Sequence, residues 1–198
     1  SYRDVEVVVI DDGSTDSTGS IVAAYPRVRY HYQANAGLAA ARNAGWTLSS
    51  GDYLVFLDAD DRLTRDAVEI GVRCLEAAPD CAFVSGEHRY ITRSGEVSGE
   101  WTREPVRASH YAALLAGNYI GMIATVMFRR FALEAVGGFD SRWRPCEDYD
   151  LYLRITCRFP VTSHGELVAE YRRYGEAMSD DSSRMLAAAL RALRAQRP

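Results

Sequence analysis

Short apolar runs alternate along this chain with segments whose apolar positions recur every three or four residues. Val5–Ile10 and Tyr53–Leu57 are β-branched and aromatic runs that read as buried strands. Val28–Tyr32 and Cys81–Ser85 read as two more strands. Between them, the periodicity predicts helices over Ser17–Tyr25, Leu38–Ser49 and Arg65–Ala78, with Asp16 or Ser17 capping the first and Thr64 the third. Strand and helix alternating in this way predict an α/β fold, a mostly parallel sheet flanked by helices.

The second half carries a different rhythm. His88–Thr92 and Glu96–Trp101 flank Ser94-Gly95 as a hairpin. Tyr111–Ala116 reads as a short helix, Ala124–Arg129 as a strand and Arg130–Val136 as another short helix. Leu151, Ile155 and Phe159 place a helix over Glu147–Phe159. Val161–Tyr171 holds one more strand. Ser182–Arg194 is amphipathic, with Met185, Leu186, Leu190 and Leu193 on its apolar side. Packing on the domain is the first use of that side, and contact with a membrane surface the second. With neither repeats nor a low-complexity linker, residues 1–198 read as one domain.

With 198 residues and 47% apolar content, the chain has enough material for a sizeable core. A net charge of −4 offers no broad basic face for nucleic acid. Every basic residue is arginine, which excludes lysine Schiff-base and P-loop chemistry. Cys74, Cys81, Cys146 and Cys157 form no Cys-x-x-Cys pair, so they read as free thiols in a reducing, cytoplasmic setting. His164, alone on its strand, reads as a surface or core residue rather than a ligand.

The chemistry is concentrated where the two strong strands end. Asp11-Asp12-Gly13-Ser14 follows the first and Asp58-Ala59-Asp60-Asp61 the second. Strand ends in an open α/β sheet line the ligand crevice. Carboxylates gathered there are costly without a cation among them, which points to a metal-assisted site for a phosphorylated ligand. An EF-hand reading places Asp58, Asp60 and Glu69 well but fails at Arg62 and Leu63. A phosphatase reading also fails at Arg62, and a polar turn with capping acids remains open. Arg42, on a helix of small residues, is placed to meet a phosphate or to pair with one of these acids. Glu147-Asp148 opens a helix, whose N-terminal dipole favours the ionised form a general base requires.

Taken in order, Asp11–Asp16, Asn35–Asn43, Leu57–Asp61, Gly137–Asp140 and Glu147–Arg154 resemble glycosyltransferase family 2, over about residues 4–180. The resemblance implies a GT-A fold, split into a nucleotide-binding half (about 1–86), an acceptor-side half (about 87–180) and a C-terminal helix (181–198). It implies an inverting transferase that takes a nucleotide-diphosphate sugar as donor, UDP-linked by default and dTDP- or GDP-linked otherwise. The acceptor would be a carbohydrate or glycolipid, and the work would be done in the cytoplasm or at the inner face of a membrane. Asp12 would contact the base, Arg42 the base or diphosphate, and Asp58 the ribose. Asp60, the second acid of the Asp-x-Asp motif, would hold Mg²⁺ or Mn²⁺, and Asp148 would be the general base.

Two departures accompany the resemblance. The family's usual first strand and helix have no counterpart here, so unpaired strand edges are expected. A segment often ending in His reads Tyr171-Arg172-Arg173-Tyr174, which replaces a metal-site ligand with a poorer one. The alternative expectation is therefore a non-catalytic or truncated transferase-like module.

Overall fold

The computed structural model describes residues 2–100, 106, 109–173 and 181–196. Trp101 and Tyr174, named above, lie outside them. The elements run β1 (Val7–Asp12), α1 (Thr18–Ala23), β2 (Val28–Gln33), α2 (Leu38–Leu48), β3 (Tyr53–Val55), β4 (Arg62–Leu63), α3 (Ala67–Ala77), β5 (Phe83–Ile91) and β6 (Val97–Glu100). There follow α4 (His110–Ala116), a 3₁₀ turn (Ile123–Thr125), β7 (Val126–Arg129), α5 (Arg130–Val136), α6 (Glu147–Thr156), β8 (Thr162–Arg172) and α7 (Ser182–Ala195).

The α/β class holds, with helices flanking a curled sheet, but the strand pairing is mixed rather than mostly parallel. β1 and β2 pair in parallel, from Val7 opposite Val28 to Asp12 opposite Gln33. The larger sheet has the order β3-β7-β5-β8-β4, with β6 on β5. Only β5 and β8 are parallel in it; the other pairs are antiparallel. The reason is β7, which enters between β3 and β5 and runs against both. No local pattern announces such an insertion. Among the described residues β1 has β2 as its one strand neighbour and β3 has β7, so each keeps one bare edge.

The core lies between the larger sheet and α6. Phe83 and Phe128 meet edge to face at 5.6 Å, and Phe128 stacks on Tyr152 at 6.2 Å. Leu151, Leu153 and Ile155 are fully buried with them. Burying such side chains contributes about 1.5–3 kcal/mol each before entropy is counted. α7 packs through Ala188 and Ala192, with Met185 and Leu193 half-buried. Leu186 and Leu190 stay exposed, so the packed face is turned from the one the leucine spacing suggests. No helix among the described residues is long and apolar enough to cross a membrane.

Two links hold α6 beside α2. The Asn43 side chain pairs with both backbone groups of Phe139, donating to its carbonyl at 2.8 Å and accepting from its N–H at 2.9 Å. Gly138 makes room for this, because a Cβ there would stand 2.6 Å from the Asn43 Oδ1. Arg154 donates to the carbonyls of Val136 and Gly138, both at 2.8 Å, and pairs with Asp150 at 2.7 Å. The Gly-Gly-Phe-Asp segment is therefore a brace that fixes the start of α6 over α2.

Candidate active site

At the end of β1 the carboxylates hold loops. Asp11 is buried; it accepts from the Ser14 N–H at 2.7 Å and from the Tyr30 hydroxyl at 2.5 Å. The Tyr30 bond, with the Ser14 bonds behind it, lowers the Asp11 pKa. Asp12 accepts from the Gln33 amide at 2.6 Å, the Ala36 N–H at 2.9 Å and the Gly37 N–H at 2.8 Å. Partial burial raises its pKa, but those bonds and the nearby Arg144 charge outweigh it and the net direction is down. Asp12 thus fastens Gln33 and the turn that opens α2.

At the end of β3 the acids surround a cation. The Asp58 carbonyl accepts from the Asp61 N–H at 3.1 Å, closing the turn. Arg42 is buried and reaches two of the acids. Its Nη2 donates to both Asp58 oxygens at 2.9 and 3.2 Å, and its Nη1 to Glu147 at 2.9 Å. The guanidinium carbon lies 5.6 Å from the centre of the Phe139 ring. Burial alone would lower the Arg42 pKa, but the charges of Asp58 and Asp148 carry it upward. Arg42 therefore makes the structural ion pair that the sequence allowed alongside a phosphate contact, and it joins Asp58 to Glu147.

Asp148 is half-buried in the first turn of α6, and the Tyr149 N–H donates to it at 2.7 Å. Burial pushes its pKa up, against the pull of Arg42. The helix dipole was expected to keep this group readily ionised; desolvation beside other carboxylates wins instead. Glu147 is raised as well, by burial and then by the charge of Asp148. Of the pair, Glu147 is buried and bonded to Arg42, whereas Asp148 is partly exposed.

Asp60 is exposed, and its carboxylate makes no hydrogen bond or ion pair among the described residues. No group of three or more His, Cys, Asp or Glu side chains among them is arranged to hold a metal. Mg²⁺ is commonly bound through one or two carboxylates plus substrate phosphates and water. One open aspartate on the rim fits that mode, not a prebuilt cage.

At this site Arg144 escaped the sequence reading, and Asp61 and Arg172 were named there without roles of their own. Arg144 lies against Gly37, where a Cβ would come within 2.9 Å of its Nη1, and it adds positive charge beside Asp12. Asp61 accepts from the Arg172 N–H at 2.8 Å, and burial pushes its pKa up to about 6. Arg172 also donates from Nε to the Asp60 carbonyl at 2.7 Å, so the end of β8 buttresses the acid turn. The available signal was composition: an arginine three residues before Glu147 and another at the end of a strand.

A family model described as glycosyl transferase family 2 matches residues 1–137. Chondroitin synthase of Escherichia coli is 33% identical over 162 residues, which are 79% of this chain and 23% of that protein. Hyaluronan synthase of Pasteurella multocida is 30% identical over 166 residues, 77% of this chain and 16% of the relative. The chain thus spans less than a quarter of the length of these curated relatives. Among solved structures, Staphylococcus aureus TarS 1-349 in complex with UDP superposes with a TM-score of 0.67 at 17% identity, covering 94% of this chain and 55% of that one. Its complex with UDP-GlcNAc gives 0.66 at 20% identity, covering 88% and 51%. At that identity the likeness speaks for the fold.

Proposed function

This chain belongs to glycosyltransferase family 2, and on that footing we propose that it moves a sugar from a UDP-linked donor to an acceptor hydroxyl with inversion. The acceptor is a saccharide or glycolipid, as in polysaccharide or glycoconjugate synthesis. The printed activities of the synthases and the UDP-GlcNAc held by TarS support the donor and acceptor classes. The single observation that carries the reading is the Arg42 knot. One buried guanidinium ties Asp58 to Glu147 and so sets Asp148 beside the acid turn that holds the open Asp60.

In this mechanism Asp58 accepts from the donor ribose through the oxygen lone pairs that Arg42 leaves exposed. Asp60 would hold Mg²⁺ or Mn²⁺, which would supply positive charge for the departing phosphate. Asp148 takes the proton of the acceptor hydroxyl. That oxygen attacks the anomeric carbon, the bond to the diphosphate oxygen breaks, and the nucleoside diphosphate leaves with the bonding pair. A raised pKa suits Asp148 to this task, because a base is most effective when its pKa lies near the working pH. Arg42 is a positioning residue that keeps Asp58 and α6 in register. Residues 1–86 would carry the donor and residues 87–180 the acceptor, within one domain.

The test is calorimetric titration of this chain with UDP, dTDP and GDP, each with and without Mn²⁺. Metal-dependent binding of UDP above the other two is expected. A folded chain that binds none of them turns the assignment to a non-catalytic module, the reading that the bare edges of β1 and β3 and the self-satisfied Asp12 favour.

A further inference from the structure

The ends of β5 and β8 lie side by side in parallel, with Tyr90 opposite Tyr171 and Ile91 opposite Arg172. Their rings form one aromatic surface. Tyr90 and Tyr171 stand 5.9 Å apart with planes tilted by 41°, and the His88 ring meets them edge on at 5.3 and 6.1 Å. His88 is buried as the floor of this group, while both tyrosines are half-buried. The floor is rigid: the Gly121 backbone closes so tightly on His88 that a Cβ there would stand 2.5 Å from its Cε1. The Arg173 guanidinium lies 5.3 Å from the centre of the Tyr90 ring and steadies it.

The position of this surface gives it meaning. Arg172, the next residue after Tyr171, is the one bound to the Asp61 carboxylate and the Asp60 carbonyl. The turn also leads directly into β4, whose Arg62 lies opposite Glu170, so the antiparallel register brings Tyr171 level with Asp61. A pyranose ring has one face of C–H groups and a rim of hydroxyls. Partly buried tyrosines match it, with an apolar ring for the face and a polar tip for the rim.

We propose that Tyr90 and Tyr171 form a stacking shelf for one pyranose ring of the acceptor, next to the Asp58–Asp61 turn. The proposal rests on the transferase reading above. It assigns to these residues acceptor affinity and orientation, and no part in donor binding or proton transfer.

Chitotetraose and a hyaluronan tetrasaccharide serve as probes, titrated into the chain in the presence of UDP and Mn²⁺ and followed by saturation-transfer NMR. At least one probe is expected to bind, with saturation strongest on the C–H protons of one ring. Tyr171→Leu and Tyr90→Leu should each weaken that binding about tenfold, and Tyr171→Phe should keep it within about twofold, because stacking needs the ring and not the hydroxyl. UDP affinity and melting temperature should be the same in all three variants and the parent. The shelf is overturned if neither probe binds the parent chain, if the leucine variants bind as well as the parent, or if they lose UDP and probe together. UDP binding with unaltered probe affinity defeats the shelf alone. Failure of the parent chain to bind UDP defeats the transferase reading on which it rests.

Discussion

Two acid clusters close two strands of this molecule, and they use the same side chain in opposite ways. After β1, Asp11 and Asp12 are paired with N–H and O–H groups, and their pKa values are lowered. After β3, Asp58 and Glu147 share one buried arginine, and the pKa values of Glu147 and Asp148 are raised. The first cluster spends its charge on shape. The second stores charge that the surrounding protein opposes. Carboxylates held in an unfavourable ionised state are the ones with chemistry left to do, and hydrogen-bonded ones at a turn are scaffolding.

The sharpest way to break this comparison is to neutralise the stored charge. Asp148→Asn should lower transfer by about 10²–10⁴-fold. Metal-dependent nucleotide binding, measured by calorimetry, should persist. A loss of nucleotide affinity instead would move Asp148 from base to donor ligand.

Next in size is the cation that makes the second cluster tolerable. Arg42→Ala leaves Glu147 buried without its partner, and should cost about 3–5 kcal/mol of stability in urea denaturation. Adding Glu147→Gln to that variant should restore part of the loss. A cost of a few tenths would mean that the knot is ornamental and that α6 is held by the Asn43 and Arg154 links alone.

The smallest effect belongs to the scaffold. Asp12→Ala removes the acceptor for Gln33, Ala36 and Gly37 and should cost about 1–2 kcal/mol, with faster exchange of the Ala36 and Gly37 amides. Its pH dependence has a defined sign. The pKa of Asp12 is lowered on folding, so its contribution is full above the unfolded value and fades as pH falls through the folded one. The deficit of Asp12→Ala, followed by denaturation across pH, should therefore shrink in acid. Glu147 has the reverse sign: its pKa is raised, so its contribution is full in acid and is lost as pH rises. Glu147→Gln should gain on the parent as pH rises.

Local elements were legible where one short-range cause dominates. Arg130–Val136 is helical as its pattern requires, and Leu38–Leu48 ends one residue before the expected boundary. Longer-range causes were not legible. Cys81–Ser85 and His88–Thr92 read as two strands, but they merge into Phe83–Ile91, because β8 pairs along that stretch with register shifts that accommodate Gly86 and Glu87. Thr64 does not cap α3; its hydroxyl donates to the Leu167 carbonyl, which lies far away in sequence. The two-residue β4 has no pattern at all and exists through its pairing with β8. At the site, residue types and order identified Asp58, Asp60 and Asp148 as the places to look. They did not reveal that Arg42 would bridge to Glu147 across 105 positions, that Asp12 would fasten the turn that opens α2, or that burial would outweigh the helix dipole at Asp148.

The edges of β1 and β3 that no strand among the described residues covers also bear on how the chain behaves while it folds. Each is a row of backbone donors and acceptors whose natural complement is another extended segment. During refolding, every extended stretch of a neighbouring molecule competes for those rows. Recovery of the native chain should thus fall with protein concentration even where the finished fold is stable, because crowding of partly folded molecules, rather than weakness of the core, limits yield.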